Sequence, residues 1–174
     1  MTREQLEHAI RAVCDLTNDS EVYVFGSQAI LGTYPDSPGA LLVSEEVDLS
    51  LKNFPRKTDV IDGALGQDST FHHAFGFYVH GLPIHEAAML PPGWEERAVA
   101  VRNANTRDNT GWCIEAHDLA SSKLYAFRDK DREFVQLLIV HRLIDAFILE
   151  ARIKSLTADA DRVALMLIWL QALE

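Results

Sequence analysis

The run Val22-Tyr23-Val24-Phe25 ends abruptly at Gly26-Ser27. Four consecutive apolar or aromatic residues, two of them β-branched, suit a strand covered on both faces. Glycine permits a sharp turn at that point, and a short helical pattern follows in residues 27–32. A buried strand over 21–26 that hands over to a helix needs a sheet with helices packed on it. The expected fold class is therefore α/β. The turn has two readings. It is a tight connection and nothing more, or it cradles a phosphate, because backbone N–H groups and a hydroxyl at such a junction bind anions.

The rest of the chain can be ordered around that strand. Leu6, Ile10, Val13 and Cys14 recur at helical spacing, which predicts a helix over 2–17. Residues 46–52 alternate polar and apolar and predict a strand with one wet face. A helix is expected over 58–66, continued by 68–76, and further strands over 76–82 and 97–101. Residues 32–40 contain two Pro and two Gly and read as a loop. From Asp118 onward the pattern is helical, over 118–128, 131–141, 145–155 and 158–172, with Asp118 a good N-cap for the first of these. The expectation is a mixed sheet of four or five strands with flanking helices in residues 1–115, followed by a helical C-terminal region, 116–174.

Bulk properties narrow the function. The chain has 174 residues, 48% of them hydrophobic, enough for a real core. No apolar run approaches ~20 residues, so no membrane span is expected. The N-terminus lacks the apolar stretch of a signal peptide. Cys14 and Cys113 form neither a CxxC nor a disulfide framework, and the expected location is the cytoplasm. Net charge is −10, unevenly spread. Residues 1–90 hold 5 Lys/Arg against 13 Asp/Glu, and residues 91–174 hold 11 against 13. Such a chain repels phosphate backbones broadly, so a polyanion site must be a small basic pocket drawn from the C-terminal half.

Two clusters could hold chemistry. Glu46 and Asp48 are two apart on a predicted strand and project from one face. Their mutual repulsion costs stability, and a divalent metal removes that cost. Mg²⁺ is typically held by one or two carboxylates plus substrate phosphates. The plain alternative is a solvated strand face. Further on, Lys123, Arg128, Lys130 and Arg132 form the densest basic patch, with Asp131 among them. The plain alternative here is a solvated helix, with Asp131 capping the next one. His72, His73, His80 and His85 lack a Cys partner or an HExxH frame, so zinc is not expected. Cys113 reads as a core cysteine, and Asn103 to Thr110 as a polar loop.

Gly-Ser after a strand, followed by a spaced carboxylate pair on the next strand, resembles the nucleotidyltransferase pattern of the DNA polymerase β superfamily. The run Lys-Leu-Tyr-Ala-Phe-Arg-Asp-Lys-Asp, residues 123–131, is similar to the AbiEii/MenT-like branch of toxin nucleotidyltransferases. The whole chain resembles small bacterial nucleotidyltransferases of unknown function. The resemblance covers about residues 20–135. It implies a nucleotidyltransferase-like α/β fold and Mg²⁺-dependent transfer of NMP from an NTP to an acceptor hydroxyl. It places Gly26 and Ser27 on the β/γ-phosphates, with Lys123 and Arg128 as further nucleotide contacts, and Glu46 and Asp48 on the metal. Asp48, Lys123 and Asp131 would be catalytic, Asp131 either assisting deprotonation of the acceptor or holding Lys123.

The same resemblance implies the tRNA 3′ end as acceptor and a toxin-like role in a toxin–antitoxin or defence system, with a cognate antitoxin as partner. The alternatives are a degenerate nucleotide-binding protein, an antitoxin-type interaction protein, and an enzyme that modifies a protein acceptor. The chain departs from the family pattern in three places. Glu46 stands where Asp is usual. Ser27 and Glu46 are separated by 18 residues, more than usual. The third strand offers His80 where many relatives have an acidic residue, with Glu86 following it.

Overall fold

Val22 to Phe25 lie in the middle of a sheet, where a run apolar on both faces belongs. The structure is a computed structural model and describes residues 1–55 and 57–173. Strand β1, Glu21–Phe25, is flanked by β2, Glu46–Leu51, and β5, Thr110–Cys113. β3, Tyr78–Gly81, and β4, Val99–Val101, form the edges, giving the order β3-β2-β1-β5-β4. β1 pairs antiparallel with β2 and parallel with β5. β2 pairs parallel with β3, and β4 antiparallel with β5, so the sheet is mixed. The register sets Phe25 opposite Asp48, and Asp48 opposite His80. Glu46 and Tyr78 are paired two residues earlier, on the same face.

The fifth strand, β5, lies where the sequence suggests none. Thr-Gly-Trp-Cys is too short to show a period, yet it occupies an inner position between β1 and β4. Its Gly111 has a packing reason. A Cβ there would lie 2.4 Å from Cδ1 of Ile10, on the helix that crosses the sheet at this point. That helix, α1, Arg3–Thr17, starts with a reciprocal cap between Thr2 and Gln5 and buries Leu6, Ile10, Val13 and Cys14.

After β1 the expected helix is a 3₁₀ turn, Ser27–Ala29, leading into α2, Ile30–Thr33. The single helix suggested over 58–76 is two, α3, Asp59–Leu65, and α4, Thr70–Phe75. The chain breaks between them, where Asp68 takes a φ of 61° and Ser69 caps α4 by accepting from the His72 N–H. Two short helices, α5, Ile84–Ala87, and α6, Trp94–Arg97, link β3 to β4. The C-terminal region consists of α7, Ala116–Ala126, α8, Asp129–Val140, α9, Ala146–Lys154, and α10, Ala160–Gln171. Its last residue, Glu174, lies outside the described residues. Among those residues no helix is long and apolar enough to cross a membrane.

One buried cluster joins the sheet to these helices. Leu119 and Leu124 of α7, Val135 and Leu138 of α8, and Leu149 and Ile153 of α9 belong to it with the strand residues. Asp118 is not the cap that the sequence suggests. Glu115 caps α7, accepting from the N–H groups of His117 and Asp118. Asp118 is instead fully buried. It accepts two hydrogen bonds from Arg97, at 2.8 and 3.1 Å, and Nε of Arg152 on α9 lies 2.9 Å away without hydrogen-bond alignment. One carboxylate thus ties α6, α7 and α9 together. Asp118→Ala would leave two guanidinium groups facing each other across a vacated site. We expect a loss of about 3 kcal/mol, read from chemical denaturation.

Candidate active site

β1 ends where Gly26 takes a φ of 66°, and a Cβ on it would lie 1.9 Å from Oδ2 of Asp48. Only glycine lets the turn come this close to the carboxylate. Gly26→Ala is expected to cost about 1–3 kcal/mol for the backbone alone, because a φ of 66° with a ψ of −170° is a region essentially open only to glycine. It should also push Asp48 aside, so that metal-ion binding weakens in a titration while secondary structure by circular dichroism persists.

Three side chains converge beside the turn. One ligand atom each from Glu46, Asp48 and His80 lies within 4.8 Å of the others. His80 Nδ1 is 3.4 Å from Asp48 Oδ1 and 3.7 Å from Glu46 Oε1. The Tyr78 hydroxyl donates to Glu46 Oε2 at 2.7 Å and so fixes that longer side chain. Burial pushes the Asp48 carboxyl up to about 6, with the Glu46 charge adding to the effect. Burial pushes Glu46 the same way, but the hydrogen bond from Tyr78 and the other partners outweigh it and hold Glu46 below the usual carboxylate range.

The opposite wall comes from α7 and α8. Lys123 Nζ donates to Ser27 Oγ at 2.9 Å and lies 3.2 Å from Asp131 Oδ1. Burial lowers the affinity of this lysine for its proton, and the Asp131 charge opposes that. Asp131 does not cap α8. It is fully buried and also accepts from Arg128, at 2.6 and 3.2 Å. Burial raises its pKa, yet Arg128 and Lys123 outweigh burial and hold it below the usual range. A carboxylate so paired is built to fix two cations.

Between the walls lies a cavity of about 290 Å³. Glu46, Asp48 and His80 line one side, Lys123, Arg128 and Lys130 the other, with Gly26 and Ser27 at the join. The structure places in this one cavity the residues to which the resemblance gives roles: Gly26, Ser27, Glu46, Asp48, Lys123, Arg128 and Asp131. It does not bring in Arg132, which turns back to the Phe127 carbonyl and Asp129, nor Glu86, which is exposed beside His85. Cys113 is a core residue whose thiol burial pushes up to about 12, so it is no nucleophile. Sequence alone leaves His80 and Tyr78 without partners. Their alternation along β3 is the available signal, but only the pairing register says which carboxylates they meet.

Acidic and basic walls facing each other across one cavity suit a phosphate chain held by a metal on one side and by cations on the other. That fits the nucleotidyltransferase pattern that the sequence resembles. The chain belongs to the family described as "Nucleotidyltransferase of unknown function (DUF6036)", whose model it matches over residues 4–168. No curated protein matches it, and no solved structure does.

The raised Asp48 pKa has a measurable consequence. A metal competes with protons for this carboxylate. Ion-induced stabilisation should reach its full value only well above pH 6 and should shrink as pH falls through that value. The ion-free protein should show the opposite sign. A carboxyl whose folded pKa is raised from 3.8 to about 6 makes folding more favourable as pH falls from 6 towards 4. Melting curves with and without ion, from pH 4.5 to 7.5, check both trends.

Proposed function

We propose that the protein is a cytoplasmic, Mg²⁺-dependent nucleotidyltransferase that moves NMP from an NTP to an acceptor hydroxyl. The observation that carries the reading is Lys123 Nζ on the Ser27 hydroxyl, in the same cavity as the Glu46–Asp48 pair. The residues fit a divalent ion. Glu46 and Asp48 offer hard oxygen donors from one strand face, and Gly26 leaves Asp48 uncovered. Bound there, the ion would supply charge neutralisation and polarisation of the reacting phosphate.

The chain's own groups do the rest. The Gly26-Ser27 backbone and hydroxyl hold the β- and γ-phosphates. Lys123 balances the charge that develops on departing pyrophosphate. Arg128 and Lys130 stand on the same wall and meet the outer phosphates or the acceptor. Asp131 keeps Lys123 and Arg128 in place. The similarity of residues 123–131 to the toxin branch makes the tRNA 3′ end the first acceptor to test, with a toxin-like role restrained by an antitoxin. The net charge of −10 favours a second reading, a protein hydroxyl as acceptor, which needs no polyanion clamp.

The test is incubation with each labelled NTP, Mg²⁺, and intact tRNA, tRNA trimmed of its terminal nucleotides, or a protein fraction. Label on tRNA supports the first acceptor, and label on a protein band replaces it with the second. NTP-dependent stabilisation with no label and no pyrophosphate would mean a degenerate binder. No stabilisation by any NTP would leave only an antitoxin-type interaction role.

A further inference from the structure

We infer that His80 is a third metal ligand and that it raises the site's affinity for Mn²⁺ relative to Mg²⁺; this rests on the metal-dependent reading above. Three observations lead to it. The β2–β3 register sets His80 opposite Asp48, so the imidazole rises from the same sheet face as both carboxylates. Nδ1 lies 3.4 and 3.7 Å from one oxygen of each. Metal–donor bonds of about 2.1 Å place neighbouring octahedral donors about 3 Å apart, so small side-chain shifts bring all three atoms onto one ion. The ring is also half-exposed and lines the cavity.

The donor chemistry then selects the ion. Two carboxylates plus phosphate oxygens suit the hard ions, Mg²⁺, Ca²⁺ and Mn²⁺. A neutral imidazole as third donor contributes no negative charge, which weakens the attraction on which Mg²⁺ depends. Of the three, only Mn²⁺ is a first-row transition ion that gains from a nitrogen ligand. A carboxylate at this position would act the other way. The opposing possibility is that His80 is merely a counter-charge between Glu46 and Asp48. A protonated ring of that kind would move away when the ion arrives and would leave no nitrogen on it.

The experiment uses the whole protein with Mn²⁺ and an α,β-methylene pyrimidine triphosphate, which cannot transfer its nucleotidyl group and has no nitrogen near the phosphates. Pulsed electron paramagnetic resonance should show an imidazole nitrogen coupled to Mn²⁺ in the wild type, absent in His80→Gln and His80→Asp. Calorimetric affinities for Mn²⁺ and Mg²⁺ should show the Mn²⁺:Mg²⁺ ratio falling on the order of tenfold in His80→Asp, because the nitrogen donor that favours the transition ion gives way to a carboxylate oxygen. Mn²⁺ that binds, and is lost in Asp48→Asn, without nitrogen coupling overturns the role of His80 and leaves the metal-dependent reading standing. An unchanged ratio in His80→Asp overturns the preference in the same way. Absence of any Mn²⁺ or Mg²⁺ binding overturns both.

Discussion

Asp48→Asn should reduce nucleotidyl transfer by about a thousandfold or more and, without ion, make the protein more stable. The first effect follows from the place of Asp48 in the fold. It is the carboxylate that Gly26 is shaped to admit and the one that His80 faces across the register. Losing a metal ligand removes several kcal/mol of charge stabilisation, and ~4 kcal/mol is about a thousandfold in rate. The second effect follows from its environment. Burial and the Glu46 charge disfavour the ionised form of Asp48, so near pH 7.5 the folded state holds a charge that the unfolded chain holds more easily. An amide of the same shape removes that cost. Mg²⁺ with NTP should stabilise the wild type by ~2.7 kcal/mol at 100 times Kd and the Asp48→Asn variant not at all. A mutant that keeps both the ion-dependent shift and the turnover would remove Asp48 from the site.

The elements legible in the sequence are those whose signal is local. β1 is an uninterrupted apolar run, β2 alternates over six residues, and α1 has helical periodicity. Gly26-Ser27 and the Glu46–Asp48 pair follow directly from those elements, so one wall of the site is readable. β5 is not, because four residues including a glycine carry no period, and its strand character comes from pairing with β1 and β4. Asp118 and Asp131 mislead for a related reason. Each stands in the first turn of a helix, where a sequence suggests a cap, and each is drawn inward by arginines supplied from elsewhere in the chain or by a lysine on the preceding helix. His80 needs the β2–β3 register, which no single strand contains. What stays hidden for β5, Asp118 and His80 is a long-range partner, whereas Asp131 is held by Arg128 and Lys123, three and eight residues before it.

Lys123→Met should cut turnover by at least ~10²-fold while leaving stability equal or higher, and the two readouts together separate a functional lysine from a structural one. The side chain is only 12% exposed, and burial works against its charge. Its partner Asp131 does not depend on it, since Arg128 donates to both carboxylate oxygens. Removing the lysine therefore does not strand a bare buried charge, the usual cause of a large loss when a buried pair is broken. Methionine has a similar length and can pack on the Phe134 ring, over which Nζ now stands at 5.3 Å. Arg128 still neutralises Asp131 when the lysine is gone, so this variant tests the proposed role of Lys123, meeting an anion in the cavity. Removing one preorganised group that stabilises transition-state charge costs about 10²–10³ in rate. Expected are a melting temperature at or above wild type, an unchanged circular dichroism spectrum, and transfer down by at least ~10²-fold. A strongly destabilised mutant, or one that retains wild-type transfer, would instead make Lys123 part of the packing between α7 and α8.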